Sequence, residues 1–328
     1  MDTTAFNFQT LNPDTIIDAL WDIGLRVDSG LTALNSYENR VYQFSDEERR
    51  RYVVKFYRPQ RWSREQIEEE HQFALELQQD EVPLAPPLML NGKTLHQHDG
   101  FWFAIFPSLG GRQYETDNDD QLEGVGRFIA RIHQCGERQL FVARPAIGLE
   151  EYINEPAQIL RQCSLVPSSL RETLNDVIAQ LSKTLQECWH TRWTPLRLHG
   201  DCHPGNILWR DGPLFVDLDD ARTGPAVQDL WMLVNGDRQQ QRIQWDILLE
   251  AYSEFRDFDI NELSLIEPLR AMRMVYYLAW IVRRWQDPAF PRSFPWMTEE
   301  DFWRRQIASF AEQNTVLQQP PLRLMPEY

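Results

Sequence analysis

The sequence predicts an α+β chain of two lobes, a small antiparallel-sheet lobe followed by a larger, mainly helical one. Three observations carry that prediction. Short β-like runs accompany one clear helix in the first third, helical apolar periodicity dominates the remainder, and a turn-rich segment divides the two. At 328 residues the chain has room for two domains, or for one two-lobed body with a cleft. A hydrophobic content of 42%, with 12 Trp and 17 Phe, can fill a sizeable core.

In chain order, "LTAL" (31–34), "RVYQF" (40–44) and "YVVKFY" (52–57) read as three antiparallel strands. The charged "DEERRR" between the last two is a hairpin connection, and Arg49-Arg50-Arg51 is its exposed tip rather than a basic patch. A helix follows over Arg64 to Gln79, with Ser63 as N-cap and Ile67, Phe73, Ala74 and Leu77 as its apolar set; "EVPLAPPL" stops it. "FWFAIF" (101–106) is a further strand ending at Pro107, with Gly110-Gly111 beyond. The lobe boundary is placed there, giving 1–106 and 107–328. Past it, "DQLEGVGRFIARIHQ", "LRETLNDVIAQLSKTLQECW", "IQWDILLEAYSEF", "IEPLRAMRMVYYLAWIVRRW" and "EDFWRRQIASFAEQ" carry helical apolar stripes. The Pro-rich end reads as a tail.

A formal charge of −16 argues against nucleic acid or an anionic membrane as the main partner, because both call for a basic surface. Cys135, Cys163, Cys188 and Cys202 show no metal-like spacing, which points to neither a zinc site nor a disulfide framework. The N-terminus has no secretory pattern and "MVYYLAWIV" is too short to span a bilayer, so the expected location is the cytoplasm.

The chemistry lies in "RLHGDCHPGNILWRDGPLFVDLDDA" (197–221), where five Asp, two His and one Asn sit between apolar runs. Gly200, Pro204 and Gly205 exclude regular structure around Asp201, leaving a rigid loop that holds a carboxylate within reach of a substrate hydroxyl. Asn206 offers a neutral oxygen suited to Mg²⁺. A hairpin through Arg210-Asp211-Gly212 brings Asp217 beside it, as a magnesium site with few protein ligands requires.

"HGDCHPGN" followed by "FVDLDDARTGP" resembles the catalytic and metal-binding loops of the aminoglycoside phosphotransferase and choline kinase-like branch of the protein-kinase superfamily. The resemblance implies a two-lobed protein kinase-like fold, with Asp201 as general base and Asn206 and Asp217 as ligands of the cofactor Mg²⁺. It also has Asp229 bracing the loop from below, where the residues alone suggest a helix N-cap. His199 is expected to fix the loop by hydrogen bonds. For His203, packing and substrate contact stay open, as do a cap, a solvated turn or metal binding for Asp219 and Asp220.

For the first lobe the resemblance implies a strand lysine for the nucleotide phosphates and a helix glutamate to hold it. Lys55 in "YVVKFYRP" fits the first and Glu70 the second, with Glu69 as fallback. "ALNSYENRVYQF" has no glycine where a phosphate loop normally does, so Ser36, aided by Asn35, is expected to meet the nucleotide through its side chain. Backbone groups of Phe106 to Leu109 would reach the adenine edge.

"LNSYENRVY", "FPSLGGRQYE" and "LHGDCHPGNILW" are most similar to the bacterial stress response kinase A, or RdoA, family. That resemblance implies ATP-dependent phosphorylation of Ser or Thr hydroxyls on proteins, the kinase itself included, in stress survival, by a monomer. The motifs alone do not separate a protein hydroxyl from that of a small alcohol such as homoserine, choline or an aminoglycoside. A catalytically silent kinase-fold module would show damaged base or metal positions; Asp201, Asn206, Asp217 and Lys55 are all present.

Overall fold

The computed structural model describes residues 7–324. A helix that the sequence reading did not anticipate comes first: α1 (Pro13–Asp22) is started by Asn12, whose side chain accepts from the Thr15 N–H, and by Pro13 in its first turn. Four strands follow with one helix among them: β1 (Thr32–Ala33), β2 (Arg40–Ser45), β3 (Arg51–Phe56), α2 (Arg64–Gln79) and β4 (His96–His98), then β5 (Phe101–Pro107) closes the sheet. The order is β1-β2-β3-β5-β4, antiparallel throughout, with Lys55 of β3 opposite Val41 of β2 and Ala104 of β5.

Strand alternation divides the sheet's two faces. Val54 and Phe56 point towards α1 and pack with Ile16, Leu20, Phe101 and Ile105, whereas Val53 and Lys55 face the cleft. The turn between β2 and β3 is held by Asp46, which accepts from the Glu48 and Arg50 N–H groups, with Arg49 at φ +62° on the exposed tip. A full capping box between Ser63 and Gln66 starts α2. Ile67 of that helix packs under the sheet while Phe73, Ala74 and Leu77 join the core of the second lobe, so α2 ties the two together.

Beyond the sheet come β6 (Arg112–Gln113), α3 (Asp119–Gly136), α4 (Glu155–Gln162), α5 (Arg171–Cys188), β7 (Leu196–Leu198), β8 (Ile207–Trp209), β9 (Pro213–Phe215), β10 (Arg222–Gly224), α6 (Arg238–Ser253), α7 (Ile266–Arg283), α8 (Ala289–Ser293) and α9 (Glu300–Val316). The helices share one large apolar core. A Cβ at Gly126 of α3 would stand 2.8 Å from the Leu248 carbonyl of α6, so glycine permits that close helix crossing. Among the described residues no helix is long and apolar enough to cross a membrane.

Two small sheets frame the polar stretch. The strand β7 pairs antiparallel with β10, Leu198 opposite Arg222, while β8 and β9 form the hairpin through Arg210-Asp211-Gly212, Ile207 opposite Phe215. Asp211 and Gly212 take positive φ to turn it. The helix α7 buries Leu269, Met272, Val275 and Leu278 and turns Arg273, Tyr277 and Trp280 to its other side, towards the cleft and the first lobe.

Candidate functional site

The loop between β7 and β8 is built from below by Asp229, a fully buried carboxylate. Its Oδ2 accepts the His199 N–H and its Oδ1 the Gly200 N–H, each at 2.8 Å, and it also accepts from His133 Nε2 at 3.1 Å. The residue ends a short 3₁₀ turn rather than opening an α-helix, so it braces the loop and does not cap a helix. Gly200 sits at φ +86°, and a Cβ there would stand 2.0 Å from the Asp220 carbonyl oxygen. No other residue type fits that crossing without moving backbone. His199 donates from Nε2 to the Val216 carbonyl at 3.0 Å, locking the loop to the end of the hairpin.

Asp201, on this loop, is held from two sides. Arg273 Nη1 donates to Oδ1 at 2.6 Å, and His203 Nε2 lies 3.4 Å from Oδ2 while its Nδ1 accepts the Gly205 N–H, which leaves the Nε2 proton for the carboxylate. Burial works against ionisation of Asp201, but His203 and Arg273 outweigh it and hold the carboxyl well below the usual range. The group is ionised at neutral pH, as a proton acceptor must be.

The hairpin brings Asn206 and Asp217 together: the Val216 N–H donates to the Asn206 carbonyl at 3.0 Å. The Asn206 side-chain amide donates to the Asp201 carbonyl at 2.9 Å, which commits its nitrogen and leaves its oxygen for a cation. Asp217 adopts φ +61°, a left-handed conformation costly for a non-glycine residue, and its carboxylate is about half exposed to the cleft. One amide oxygen and one half-exposed carboxylate suit a hard cation that takes few protein ligands and completes its shell with phosphate and water.

Lys55 is buried and lies 3.0 Å from both Asp217 Oδ1 and Asp219 Oδ1. Burial disfavours its charge, yet Asp217 and Asp219 overcome that and raise its pKa well above the ordinary value. The expected Lys55–Glu70 ion pair is not formed. Glu70 instead lies 3.4 Å from Arg144, a buried cation that comes from the segment before α4 and carries no local sequence signal. Glu69 is engaged elsewhere, accepting the N–H groups of Val142, Ala143 and Arg144 at 2.8–2.9 Å. Burial lifts Glu70 to about 7 against the pull of Lys55 and Arg144.

Asp219 and Asp220 are neither a cap nor a solvated turn. Asp219 is buried against Lys55 and Arg61, and its carbonyl accepts from Arg144; Asp220 pairs with Arg61 at 2.7 Å and Arg222 at 3.0 Å. This network fixes the backbone that follows Asp217.

Lys55, Glu70, Ser36, Asn206 and Asp217 line one cavity of about 410 Å³, closed on its other side by Phe106, Pro107 and Leu109 of the interlobe segment. Its size and mostly apolar walls suit a nucleotide-sized ligand. The glycine-free loop at its edge is clamped: Glu38 meets Arg58 at 2.9 Å and Arg284 at 2.7 Å, and accepts from Trp280 Nε1. Arg61, Arg144 and Arg273 escaped the sequence reading. Only Arg273 carried a visible signal, as a charge inside the apolar run "AMRMVYYLAW".

Residues 30–266 match the phosphotransferase enzyme family. Over all 328 residues, and the full length of both chains, the sequence is 62% identical to stress response kinase A of Escherichia coli K12. It is 61% identical over the same span to the serine/threonine protein kinase RdoA of Salmonella typhimurium. The fold is similar to that of an amicoumacin kinase (TM-score 0.74, 18% identity, covering 94% of this chain and 95% of that one). It is also similar to a microcompartment-associated aminopropanol kinase (TM-score 0.69, 17% identity, covering 92% and 99%).

Proposed function

The chain belongs to the phosphotransferase enzyme family, beside stress response kinase A, and from that membership we propose that it transfers the γ-phosphate of ATP to serine or threonine hydroxyls of proteins, itself included. The observation that carries the reading is the convergence of Lys55, Asn206 and Asp217 on one cavity, with Asp201 a single hydrogen bond away from Asn206. Residues 1–106 form the nucleotide-binding lobe, and 107–328 supply the base, the acceptor surface and, through Asn206 and Asp217, part of the nucleotide cavity. The enzyme works as a cytoplasmic monomer in a bacterial stress response.

Asp201 accepts the proton of the attacking hydroxyl as its oxygen bonds to the γ-phosphorus and the bond to the β-phosphate oxygen breaks, releasing ADP. Lys55 and Ser36 hold the phosphates, and Glu70 sets the field around the lysine. Asn206 and Asp217 would hold Mg²⁺, which when bound would neutralise charge on the transferring group. Asp229 and His199 keep Asp201 in place.

The protein acceptor is favoured over a cationic amino-alcohol by Arg273, whose guanidinium stands against the base carboxylate where such an alcohol would bring its own positive charge. The name of the Salmonella relative agrees with a protein acceptor. Incubation with γ-labelled ATP, Mg²⁺, a generic protein acceptor and a panel of amino-alcohols is the test. Label in protein supports the reading; label confined to small molecules replaces it with a small-alcohol kinase.

A further inference from the structure

At the seam between the first lobe and the C-terminal end of α7 lies an open cavity of about 880 Å³. Six arginines line it, Arg40, Arg58, Arg61, Arg283, Arg284 and Arg292, against two carboxylates, Glu151 and Asp287. None of its lining residues also lines the nucleotide cavity. A chain of formal charge −16 thus gathers cations at one concave site, where converging field lines attract anions most strongly.

Five of the six arginines pair with a carboxylate, most of them with one that is shared: Arg61 meets Asp219 and Asp220, which Lys55 and Arg222 also hold, and Arg283 meets Glu155 at 3.0 Å. Asp287 is divided between Arg40 at 2.9 Å and Arg58 at 3.0 Å, and Glu38 between Arg58 and Arg284. Arg292 has no ion-pair partner among the described residues and is exposed at the rim. Each guanidinium offers five N–H donors, so this sharing leaves several uncommitted. Two of the forks are also held in place: Arg40 and Arg58 lie over the Phe8 ring at 4.6 and 5.3 Å, and Arg58 also lies 5.6 Å from Phe290. Planar, pre-positioned guanidiniums match phosphate oxygens in pairs and lose little freedom on binding.

We propose that this cavity binds a small, multiply charged phosphate anion of the oligophosphate class, at a site separate from the nucleotide cleft. Several converging forks favour adjacent phosphate groups over a single one.

The test is calorimetric titration of the full chain with inorganic tripolyphosphate, without magnesium, at about 0.15 M salt, where exposed charges are well screened. One equivalent is expected to bind, with orthophosphate at least about tenfold weaker. The rim variant Arg283→Ala/Arg292→Ala should lose about tenfold or more in tripolyphosphate affinity and keep its ATP affinity, with circular dichroism confirming the fold. Lys55→Met should do the reverse.

Absence of binding to the wild type would overturn the proposal. So would binding that Lys55→Met abolishes and the arginine variant keeps, since that is the nucleotide cleft, or equal affinity for orthophosphate. Unchanged ATP affinity in Lys55→Met would instead count against the role of that lysine, leaving the tripolyphosphate result to decide the cavity.

Discussion

Arg273 of α7 donates to Asp201 at 2.6 Å, from a helix 72 residues further along the chain. The pair sets a guanidinium against the carboxylate proposed as the base. An acceptor that brings its own cation is repelled there, and one with acidic neighbours is drawn in. In Arg273→Ala, the ratio of kcat/KM for a protein acceptor over that for an amino-alcohol is expected to fall about tenfold, close to the worth of one partly screened charge contact. An unchanged ratio would remove Arg273 from acceptor choice.

Asp201 and Asp217 separate by what they touch. Asp201→Ala should cut kcat by roughly 10² to 10⁴ while ATP affinity holds, because the role proposed for the carboxylate is on the hydroxyl and not on the nucleotide. Asp217→Ala should also weaken magnesium-dependent ATP binding, read by titrating ATP with and without the metal. Full turnover in the first variant, or unaltered metal dependence in the second, would refute the respective role.

The elements set by neighbouring residues were legible. The helix α2 begins and ends where Ser63, Gln66 and the "EVP" stop put it, and the hairpin of β8 and β9 turns at Arg210-Asp211-Gly212 as its sequence requires. The helix α1 carries a local signal too, since Asn12-Pro13 is a helix start. Partners from distant segments were not legible. Lys55 meets Asp219 rather than Glu70 because Arg144, 89 residues beyond Lys55, takes the glutamate, and no local pattern announces such a pair. Asp229 lies in short 3₁₀ turns because its segment is buried beneath the loop, its Val227 N–H satisfied by Glu262 instead of by a helix.

Asp229 satisfies three donors in a site closed to water: two backbone N–H groups and the His133 ring. Asp229→Ala leaves all three without an acceptor, which is expected to cost about 3–5 kcal/mol of stability and most of the activity. Asp229→Asn keeps one acceptor oxygen and should recover part of both. Denaturant midpoints read the stability arm. A loss below about 1 kcal/mol in the alanine variant would show that the loop finds its support elsewhere.

Glu70 gives the chain a pH dependence whose sign follows from its burial. Its folded value of about 7 lies above the ordinary 4.5, so between those limits the native state binds more protons than the unfolded chain, and stability falls as pH rises through the window. Glu70→Gln stays neutral and escapes that loss. Relative to wild type, the variant should gain on the order of 2–3 kcal/mol between pH 5 and 8, read from paired denaturation curves. Glu262, which burial also lifts to about 7, is present in both proteins and drops out of the difference. Parallel curves for the two proteins would mean that Glu70 is already ionised in the fold, its charge held by Arg144 and Lys55.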